Sequence, residues 1–457
     1  MKALKELRRY PTAIAGMIIM AIFVIVSIYT VIAIPYGEAI RLWRPGEVHV
    51  ENPNRAGPVW YDWFTSDRLS RTFIVTLEDE GVIVTEEPIG DGMRLVEILV
   101  PFEYHYDRFP TELALVHRWT YETQRPLVSV SWRKPDGEVI ALHPAREILH
   151  RDSFPVYYIS QDGELSRVLG HMARPEERAP TLSPRVGLFA RDITDRDRGP
   201  MQGRYELIVQ AEMAEGDSVS EIRLRVYGEV HGWAGTDHRR RDISVALLWG
   251  APIGLMFGIV AAVGAQVSTF ILAGIGTWFG GKLDGAFQKA TELTMILPNL
   301  AVLIMVAHLY DPSIYRILGI VIALNVFSAS YKVYRAMFLQ SKELPYIEAS
   351  QAYGAGNFRI IFRYLLPRMM PILLPQFVII IPSFVFLEAT LAVLGLGDPV
   401  LPTWGKVLND AYNTRALITG HYYWILQPAL LLMFIGFGFA MVGFALDRVV
   451  NPKLRTV

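Results

Sequence analysis

The chain has 457 residues, of which 52% are apolar and only 19% are charged, whereas a soluble globular domain carries about 25% charged residues. This composition favours a membrane protein. The 44 basic and 45 acidic residues give a formal net charge of −1, which argues against the strongly basic surface of a nucleic-acid-binding protein. Cysteine is absent, so disulfide frameworks, thiol catalysis and cysteine-based metal sites are excluded.

The first charge-free apolar block covers residues 13–34, about the 20 residues that a helix needs to cross a hydrocarbon core. A signal peptide would have a shorter apolar core and a small-residue cleavage site, and neither is evident. We therefore predict an uncleaved transmembrane helix.

Further charge-free blocks in the C-terminal half bring the predicted number of transmembrane helices to six. One block is short, but Arg316 and Lys332 can extend their charges toward the lipid headgroups from its two ends. The longest block contains Pro252 and is compatible with one tilted span or a bent one. The five blocks are residues 243–281, 293–310, 317–331, 369–387 and 416–446.

The basic residues that flank the spans predict the orientation, because cytoplasmic loops carry an excess of Lys and Arg. Lys2, Lys5, Arg8 and Arg9 precede the first span, with Glu6 as the one acid among them. This places the N-terminus in the cytoplasm, and six spans then place the C-terminus there too.

A soluble insert separates the first two spans, from residue 35 to residue 242, and this topology places it outside the cytoplasm. Alternating or β-rich runs are separated by turn sequences such as Pro135-Asp136-Gly137, which predicts a sandwich or small barrel. Residues 174–200, rich in Pro, Arg and Asp, are predicted to form an irregular loop. The predicted strands are residues 73–77, 95–100, 127–132, 138–142, 205–210 and 222–227.

One stretch imitates a nucleotide-binding loop, because residues 276–282 match the Gly-x4-Gly-Lys pattern. Leu283 stands where a Ser or Thr would bind magnesium, and the stretch ends a predicted span instead of joining a strand to a helix. We therefore interpret it as a glycine-rich membrane exit. The histidines form no close metal-ligand cluster in the sequence either, and we expect no bound cofactor, no metal and no ATP hydrolysis by this chain.

Two acids lie close to or within apolar blocks: Glu292 is at the head of the third block, and Glu388 is inside the fifth. A carboxylate at membrane depth is costly, which suggests a polar translocation pathway. A position at the membrane boundary explains both acids equally well, and the sequence leaves the two interpretations open.

The predicted cytoplasmic loop between the fourth and fifth spans has the pattern of two short helices around a glycine turn. Pro345 suits the first turn of a helix, and Gly354 or Gly356 suits a left-handed C-terminal cap. Small side chains in the first helix would let another protein's backbone approach closely. These are Ala349, Ser350 and Ala352. The pattern predicts a docking knob, although an ordinary amphipathic surface helix explains it about as well.

This loop resembles the EAA loop of the permease subunits of ABC importers. Glu348-Ala349-Ser350 is followed by three residues and Gly354, and Leu366-Pro367 comes later in the loop. Ser350 replaces the second Ala of the motif, and Tyr364 stands where Ile often occurs; both keep the size class of the side chain. Glu348 can pair with Arg359, with Arg363 or with the partner.

The resemblance implies a coupling loop at about residues 340–367 that docks ATPase subunits. The docking residues it implies are Tyr346, Glu348, Ala349, Ser350, Ala352, Gly354 and Gly356.

More closely, the chain resembles the dipeptide/oligopeptide class of these permeases, in which a Gly-Thr-Asp-x-x-Gly-Arg-Asp stretch precedes the second span. Gly235-Thr236-Asp237 and Arg241-Asp242 match it, and Arg240 replaces its second glycine. The likeness covers about residues 231–457 and the first span, but not most of the insert. Further matches are Phe279-Gly280-Gly281, Ile360-Ile361-Phe362-Arg363, Leu394-Gly395-Leu396-Gly397, Pro402-Thr403-Trp404-Gly405 and Asn451-Pro452-Lys453-Leu454-Arg455.

The expected fold is therefore a mainly α-helical polytopic membrane protein with a β-rich extracytoplasmic insert. Its expected parts are residues 1–40 with the first span, the insert at 41–230, and a five-helix permease core at 231–457. The resemblance implies a protein of the prokaryotic cytoplasmic (inner) membrane that forms half of a pathway for di- or oligopeptides or a related solute. The implied partners are a second permease subunit, two ATP-binding ATPase subunits and an extracytoplasmic substrate-binding protein.

The insert has no counterpart in this resemblance. We hypothesise that it receives the binding protein or gates the outer mouth, with a stabilising accessory role as an open alternative. Two other classes compete with the importer, namely a membrane-anchored sensor or enzyme that acts through the insert, and an ion-driven transporter. The EAA-like loop argues against both.

Overall fold

The computed structural model describes residues 10–44, 46, 49–122, 125–147, 156–177, 180–195, 198–310 and 313–450. The chain divides into two compact units, the first formed by Met1–Arg44 and Ile243–Val457 and the second by Pro45–Asp242. The helices, in chain order, are α1 (Pro11–Ala33), α2 (Tyr36–Trp43), α3 (Gly163–Ala173), α4 (Pro184–Gly187), α5 (Ile243–Phe279), α6 (Gly281–Ile296), α7 (Asn299–Leu309), α8 (Ile314–Val326), α9 (Ala329–Lys342), α10 (Pro345–Ala352), α11 (Asn357–Arg359), α12 (Leu366–Val393), α13 (Trp404–Asn413) and α14 (Tyr423–Val450). The strands are β1 (Phe73–Thr76), β2 (Ile83–Gly90), β3 (Met93–Tyr104), β4 (Glu112–Thr120), β5 (Leu127–Arg133), β6 (Val139–Glu147), β7 (Val156–Tyr157), β8 (Gly203–Ala214) and β9 (Ser218–Tyr227).

The first unit is helical and apolar. Within the described residues, four helical segments are each long and apolar enough to cross a membrane: α1, α5, Pro375–Val393 of α12 and Tyr423–Asp447 of α14. The block that the sequence left ambiguous forms the single helix α5, with Pro252 inside it. Its 37 residues reach about 55 Å, well beyond a hydrocarbon core of roughly 30 Å.

The third and fourth predicted spans are each divided between two helices. The pair α6 and α7 is bent by 82°, and the pair α8 and α9 by 45°. Pro298 lies at the first break and is the N-cap of α7; it lacks a backbone N–H with which a continuous helix could bond. Six spans are obtained when each bent pair is counted as one, so the number six stays a prediction, while a polytopic helical protein is confirmed.

The last predicted span begins later than its apolar block. Residues 415–420 form turns, with Gly420 at φ +85°, and α14 begins at Tyr423. The apolar residues of this turn belong to the segment between α13 and α14, which hydropathy by itself does not separate from the span.

Helix α5 is the centre of the first unit, because α1, α8, α9 and α12 all pack against it. Helix α13 also sits on it through Trp404, whose Nε1 donates a hydrogen bond to the Leu247 carbonyl at 2.8 Å. A Cβ at Gly250 would lie 2.2 Å from Trp404 Cδ1, so this close approach requires glycine. Small residues serve the same purpose wherever helices pack closely in membranes.

The second unit is the β-rich insert, and its strands form two antiparallel sheets with the orders β1-β9-β4-β7 and β2-β3-β8-β5-β6. One hydrophobic core contains residues of both sheets, including Ile98 and Trp132 from the larger sheet and Leu115 and Leu224 from the smaller one. The β-rich insert is thus confirmed, and its two sheets share a core as the sheets of a sandwich do.

Each of the six predicted strands overlaps an observed strand, but β2, β4 and β7 were missed. Strand β2 is exposed along its whole length and contains Glu86, Glu87 and Pro88, which hides the alternation that marks a half-buried strand. Strand β4 is buried on both faces over its first five residues, so it has no alternation either. Residues 174–200 are mainly irregular in their described part, with α4 as a short helix.

Arg240 has a left-handed backbone, with φ +61°, and it stands where the Gly-Thr-Asp-x-x-Gly-Arg-Asp pattern of the resemblance has its second glycine. Its guanidinium forms an ion pair with Glu112 and lies 4.5 Å from the centre of the Tyr227 ring, and its Nη1 donates to the Asn52 carbonyl at 2.8 Å. Side-chain contacts therefore offset a backbone conformation that costs a non-glycine residue roughly 1–2 kcal/mol.

We predict that Arg240→Gly will be less stable than the wild type but more stable than Arg240→Ala by about 1 kcal/mol. Both substitutions remove the contacts with Glu112 and Tyr227, but only alanine keeps the unfavourable backbone conformation. The measurement is the unfolding temperature of the full chain in detergent. Equal stability of the two variants would contradict a role for the backbone.

Candidate coupling loop

The loop between α9 and α12 has the two-helix form that its sequence predicts. Pro345 occupies the first turn of α10, and Gly354 ends it with φ +77°. A Cβ at Gly354 would meet nothing within 4 Å, so there is room for a side chain. Glycine is required here because the backbone is left-handed. Gly356 has an ordinary φ of −68° and is the N-cap of α11.

The inner face of the loop is anchored by Ile347, which is buried. Ile347 belongs to a hydrophobic cluster with Phe338 of α9, and with Ile360 and Leu365 of the π-helix Ile360–Leu365 that joins α11 to α12. On the same helix, the Ser350 hydroxyl donates to the Tyr346 carbonyl at 2.7 Å. The loop is therefore packed against the neighbouring helices and is not an extended segment. We call residues 345–356 the knob.

The outer face presents the remaining predicted docking residues to solvent. Those exposed are Glu348, Ala349, Ala352, Gly354 and Gly356, whereas Tyr346 and Ser350 are half-buried. Glu348 is exposed and has no ion pair with Arg359 or Arg363 in the described part of the loop, which leaves its carboxylate available to a partner.

Sequence reasoning missed an aromatic contribution to this face. Tyr353 is 91% exposed, and Phe358 and Phe362 are also exposed, with their rings stacked at 6.5 Å between centres and 16° between planes. Large aromatic side chains on both sides of the glycine turn are the signal that would have found them. Exposed aromatic surface of this kind is typical of a protein-binding site.

Two polar contacts join the base of the loop to the neighbouring helices. Lys342 Nζ donates to the Trp278 carbonyl at 2.9 Å and lies 5.4 Å from the centre of the Trp278 ring, so its charge caps the C-terminus of α5. The Arg335 guanidinium holds Asp284 of α6 with Nε at 2.9 Å and Nη2 at 2.6 Å. These contacts connect the base of the loop to α5 and α6.

The other residues singled out by sequence lie apart from the knob. Glu292 is exposed, with an oxygen 3.5 Å from Lys332 Nζ. Glu388 is buried and lies close to Thr403, the N-cap of α13. The imitation of a nucleotide-binding loop is the joint between α5 and α6, where Gly280 has φ +64°; helices flank it on both sides, without the strand that a phosphate-binding loop follows.

A polytopic helical unit with an anchored, exposed loop between two spans is typical of a membrane permease. The family described as "Binding-protein-dependent transport system inner membrane component" matches residues 254–456. The insert lies outside this match.

Curated relatives agree with this family. The chain is 32% identical to the dipeptide transport system permease protein DppC of Bacillus subtilis, over 49% of this chain and 69% of the relative. It is 30% identical to the oligopeptide transport system permease protein OppC of the same organism, over 49% of this chain and 72% of the relative. With the peptidoglycan transport system permease protein YejE of Agrobacterium fabrum it shares 29% identity, over 40% and 48%.

The chain belongs to the family of binding-protein-dependent transport system inner-membrane components, the permease subunits of ABC importers. The sequence-based resemblance to the dipeptide/oligopeptide class of these permeases is confirmed.

We predict that Lys342→Met will loosen the loop by removing the cap on α5, a contact of about 0.3–2 kcal/mol. The expected result is faster hydrogen exchange at the amides of residues 345–359 in the detergent-solubilised full chain. Lys332→Met is the matched control, because it makes the same chemical change on the same helix at a lysine that bonds the exposed Glu292. Unchanged exchange in Lys342→Met would show that this cap does not hold the loop.

Proposed function

We propose that this chain forms half of the transmembrane pathway of an ATP-driven importer for di- or oligopeptides or a related solute. The observation that carries the proposal is the knob at residues 345–356, which is anchored by Ile347 and exposes a glycine-capped, aromatic outer face. The names of the relatives support a peptide as the solute class. The functional division that we propose is residues 1–40, the insert at 41–230, and the permease core at 231–457 with its coupling loop at about 340–367.

The proposed partners are a second permease subunit, two ATPase subunits at the knob and an extracytoplasmic substrate-binding protein. ATP is bound and hydrolysed on the ATPase subunits, and this chain binds no cofactor. The docking residues are Tyr346, Glu348, Ala349, Ser350, Ala352, Gly354 and Gly356, to which we add Tyr353 and Phe358. Both termini lie in the cytoplasm, as the distribution of Lys and Arg predicts. The insert receives the binding protein or gates the outer mouth.

Coupling follows from the contacts at the base of the knob. Closure of the ATPase dimer moves the knob as a near rigid body, because Ile347 is packed against α9 and the start of α12. Lys342 and the Asp284–Arg335 ion pair carry this displacement to α5 and α6. ATP drives outward opening only by the difference between its affinities for the two conformations, so any loss of contact at the knob reduces the coupling.

We predict that Gly354→Trp will abolish recovery of the ATPase with the tagged chain purified from its native membrane in mild detergent. A bulky residue there strains the left-handed turn and covers the docking face. Tyr353→Ala removes exposed aromatic surface without touching the turn and should weaken recovery. Both variants should retain the second permease subunit.

Gly216→Trp is the control for this experiment, because Gly216 lies in an exposed turn of the insert where an added Cβ also meets nothing within 4 Å. Full recovery of the ATPase with Gly354→Trp would refute docking at the knob. Recovery of the wild type without any ATPase would favour the alternative, a membrane-anchored sensor or enzyme that acts through its insert.

We also propose that the translocation pathway includes Glu292 and Glu388. The exposure of Glu292 supports its place in the pathway. A side chain that lines a pathway between two subunits is exposed on the surface of a single subunit. Glu388 is covered within its own subunit by the start of α13, so its participation requires α13 to move.

We predict that Glu292→Gln will lower solute uptake by the assembled importer severalfold, while recovery of the ATPase stays unchanged. Glu388→Gln should lower uptake only if α13 moves during transport, since glutamine keeps the size of the side chain and removes its charge. Uptake assays in vesicles with matched amounts of complex make the comparison. Wild-type uptake in both variants would show that neither acid takes part in the pathway.

A further inference from the structure

The insert carries an aromatic patch formed by Trp60, Trp63, Phe64 and Trp233. Trp63 is 76% exposed, Phe64 80% and Trp233 73%, and these are the most exposed large hydrophobic side chains in the described part of the insert. Trp60 links the others, because its Nε1 donates to the Trp233 carbonyl at 3.0 Å and its ring centre lies 6.1 Å from that of Phe64.

The patch is held by backbone contacts between the first and last segments of the insert. Val59 N–H donates to the Gly232 carbonyl at 2.9 Å, and Gly57 forms a β-bridge with Val230. The acid within the 3-10 helix Val59–Phe64 is Asp62, and Arg71 neutralises it at 3.0 Å. The exposed aromatic rings therefore project from a fixed support on which the nearby acid is already paired.

The patch is built from the first and last segments of the insert, and its last segment is followed in the chain by α5. A Cβ at Gly232, the neighbour of Trp233, would lie 3.4 Å from Asp242 Oδ2. The next residue, Ile243, is the first residue of α5, which is long and apolar enough to cross a membrane. The insert begins at Pro45, shortly after α1 and α2 in the chain. The patch is thus formed by two paired segments of the insert that lie near its two ends in the sequence.

We propose that the aromatic patch inserts into the lipid headgroup region on the side of the membrane that carries the insert, and so anchors the insert to the bilayer. Three observations select lipid as the occupant. Trp is enriched at membrane–water interfaces because its ring is apolar and its N–H polar. The most exposed large apolar side chains in the described part of the insert all belong to this patch. Asp242 lies close to Gly232 of the support and is followed in the chain by α5, which is long and apolar enough to cross a membrane.

The absence of cysteine makes this proposal testable without background labelling. Single Trp63→Cys, Phe64→Cys and Trp233→Cys variants of the full chain are spin-labelled and placed in lipid nanodiscs. Collision of each label is measured with oxygen, which concentrates in lipid, and with a water-soluble nickel chelate. The controls are Val84→Cys on β2 and Val139→Cys on β6, which are exposed positions of the same insert.

We expect the ratio of oxygen to nickel collisions at the three patch positions to exceed that at the controls severalfold. Ratios equal to the controls would show that the patch lies in water and would overturn the proposal. Low collision with both reagents would show that protein covers the patch, which also overturns it. Because each variant leaves the other three aromatic residues in place, agreement among the three positions separates burial in lipid from a local folding defect. The result is independent of whether the knob docks an ATPase.

Discussion

The bond from Lys342 to the end of α5 is the contact on which the proposed mechanism depends. Lys342 Nζ reaches the Trp278 carbonyl at 2.9 Å, and this joins the exposed knob to the longest helix of the molecule. Helix α5 in turn packs against α1, α8, α9 and α12. Trp404 of α13 packs against Gly250 of α5. In the proposed mechanism, a displacement at the knob reaches the helices that pack against α5 through this one helix.

The break between α8 and α9 is consistent with the requirement that backbone polar groups at membrane depth find partners within the protein. The Thr269 hydroxyl donates to the Val326 carbonyl at 2.7 Å, and the Thr294 hydroxyl donates to the Phe327 carbonyl, so carbonyls at the break between α8 and α9 have partners. Such a break is a candidate hinge, because the chain changes direction there while the Val326 and Phe327 carbonyls keep hydrogen-bond partners.

The insert shows how a departure from the family pattern is accommodated. Arg240 takes a left-handed conformation in place of a glycine, and its contacts with Glu112 and Tyr227 connect the end of the insert to β4 and β9. The adjacent Asp237–Arg241 ion pair is almost fully buried, where loss of one partner costs about 3–5 kcal/mol. The stretch that precedes α5 is consequently a rigid support, and the aromatic patch is built beside it.

Local patterns in the sequence determined the apolar blocks, six of the strands, and the loop with Pro345 and Gly354 at its turns, because hydropathy, alternation and backbone preference act over a few neighbouring residues. Only the tertiary structure decided that Glu388 is buried beneath Thr403, that Glu348 is left unpaired by Arg359 and Arg363, and that Trp60 meets Trp233. Those outcomes depend on residues far apart in the chain. A side chain's partner and exposure are set by packing, which no local pattern encodes.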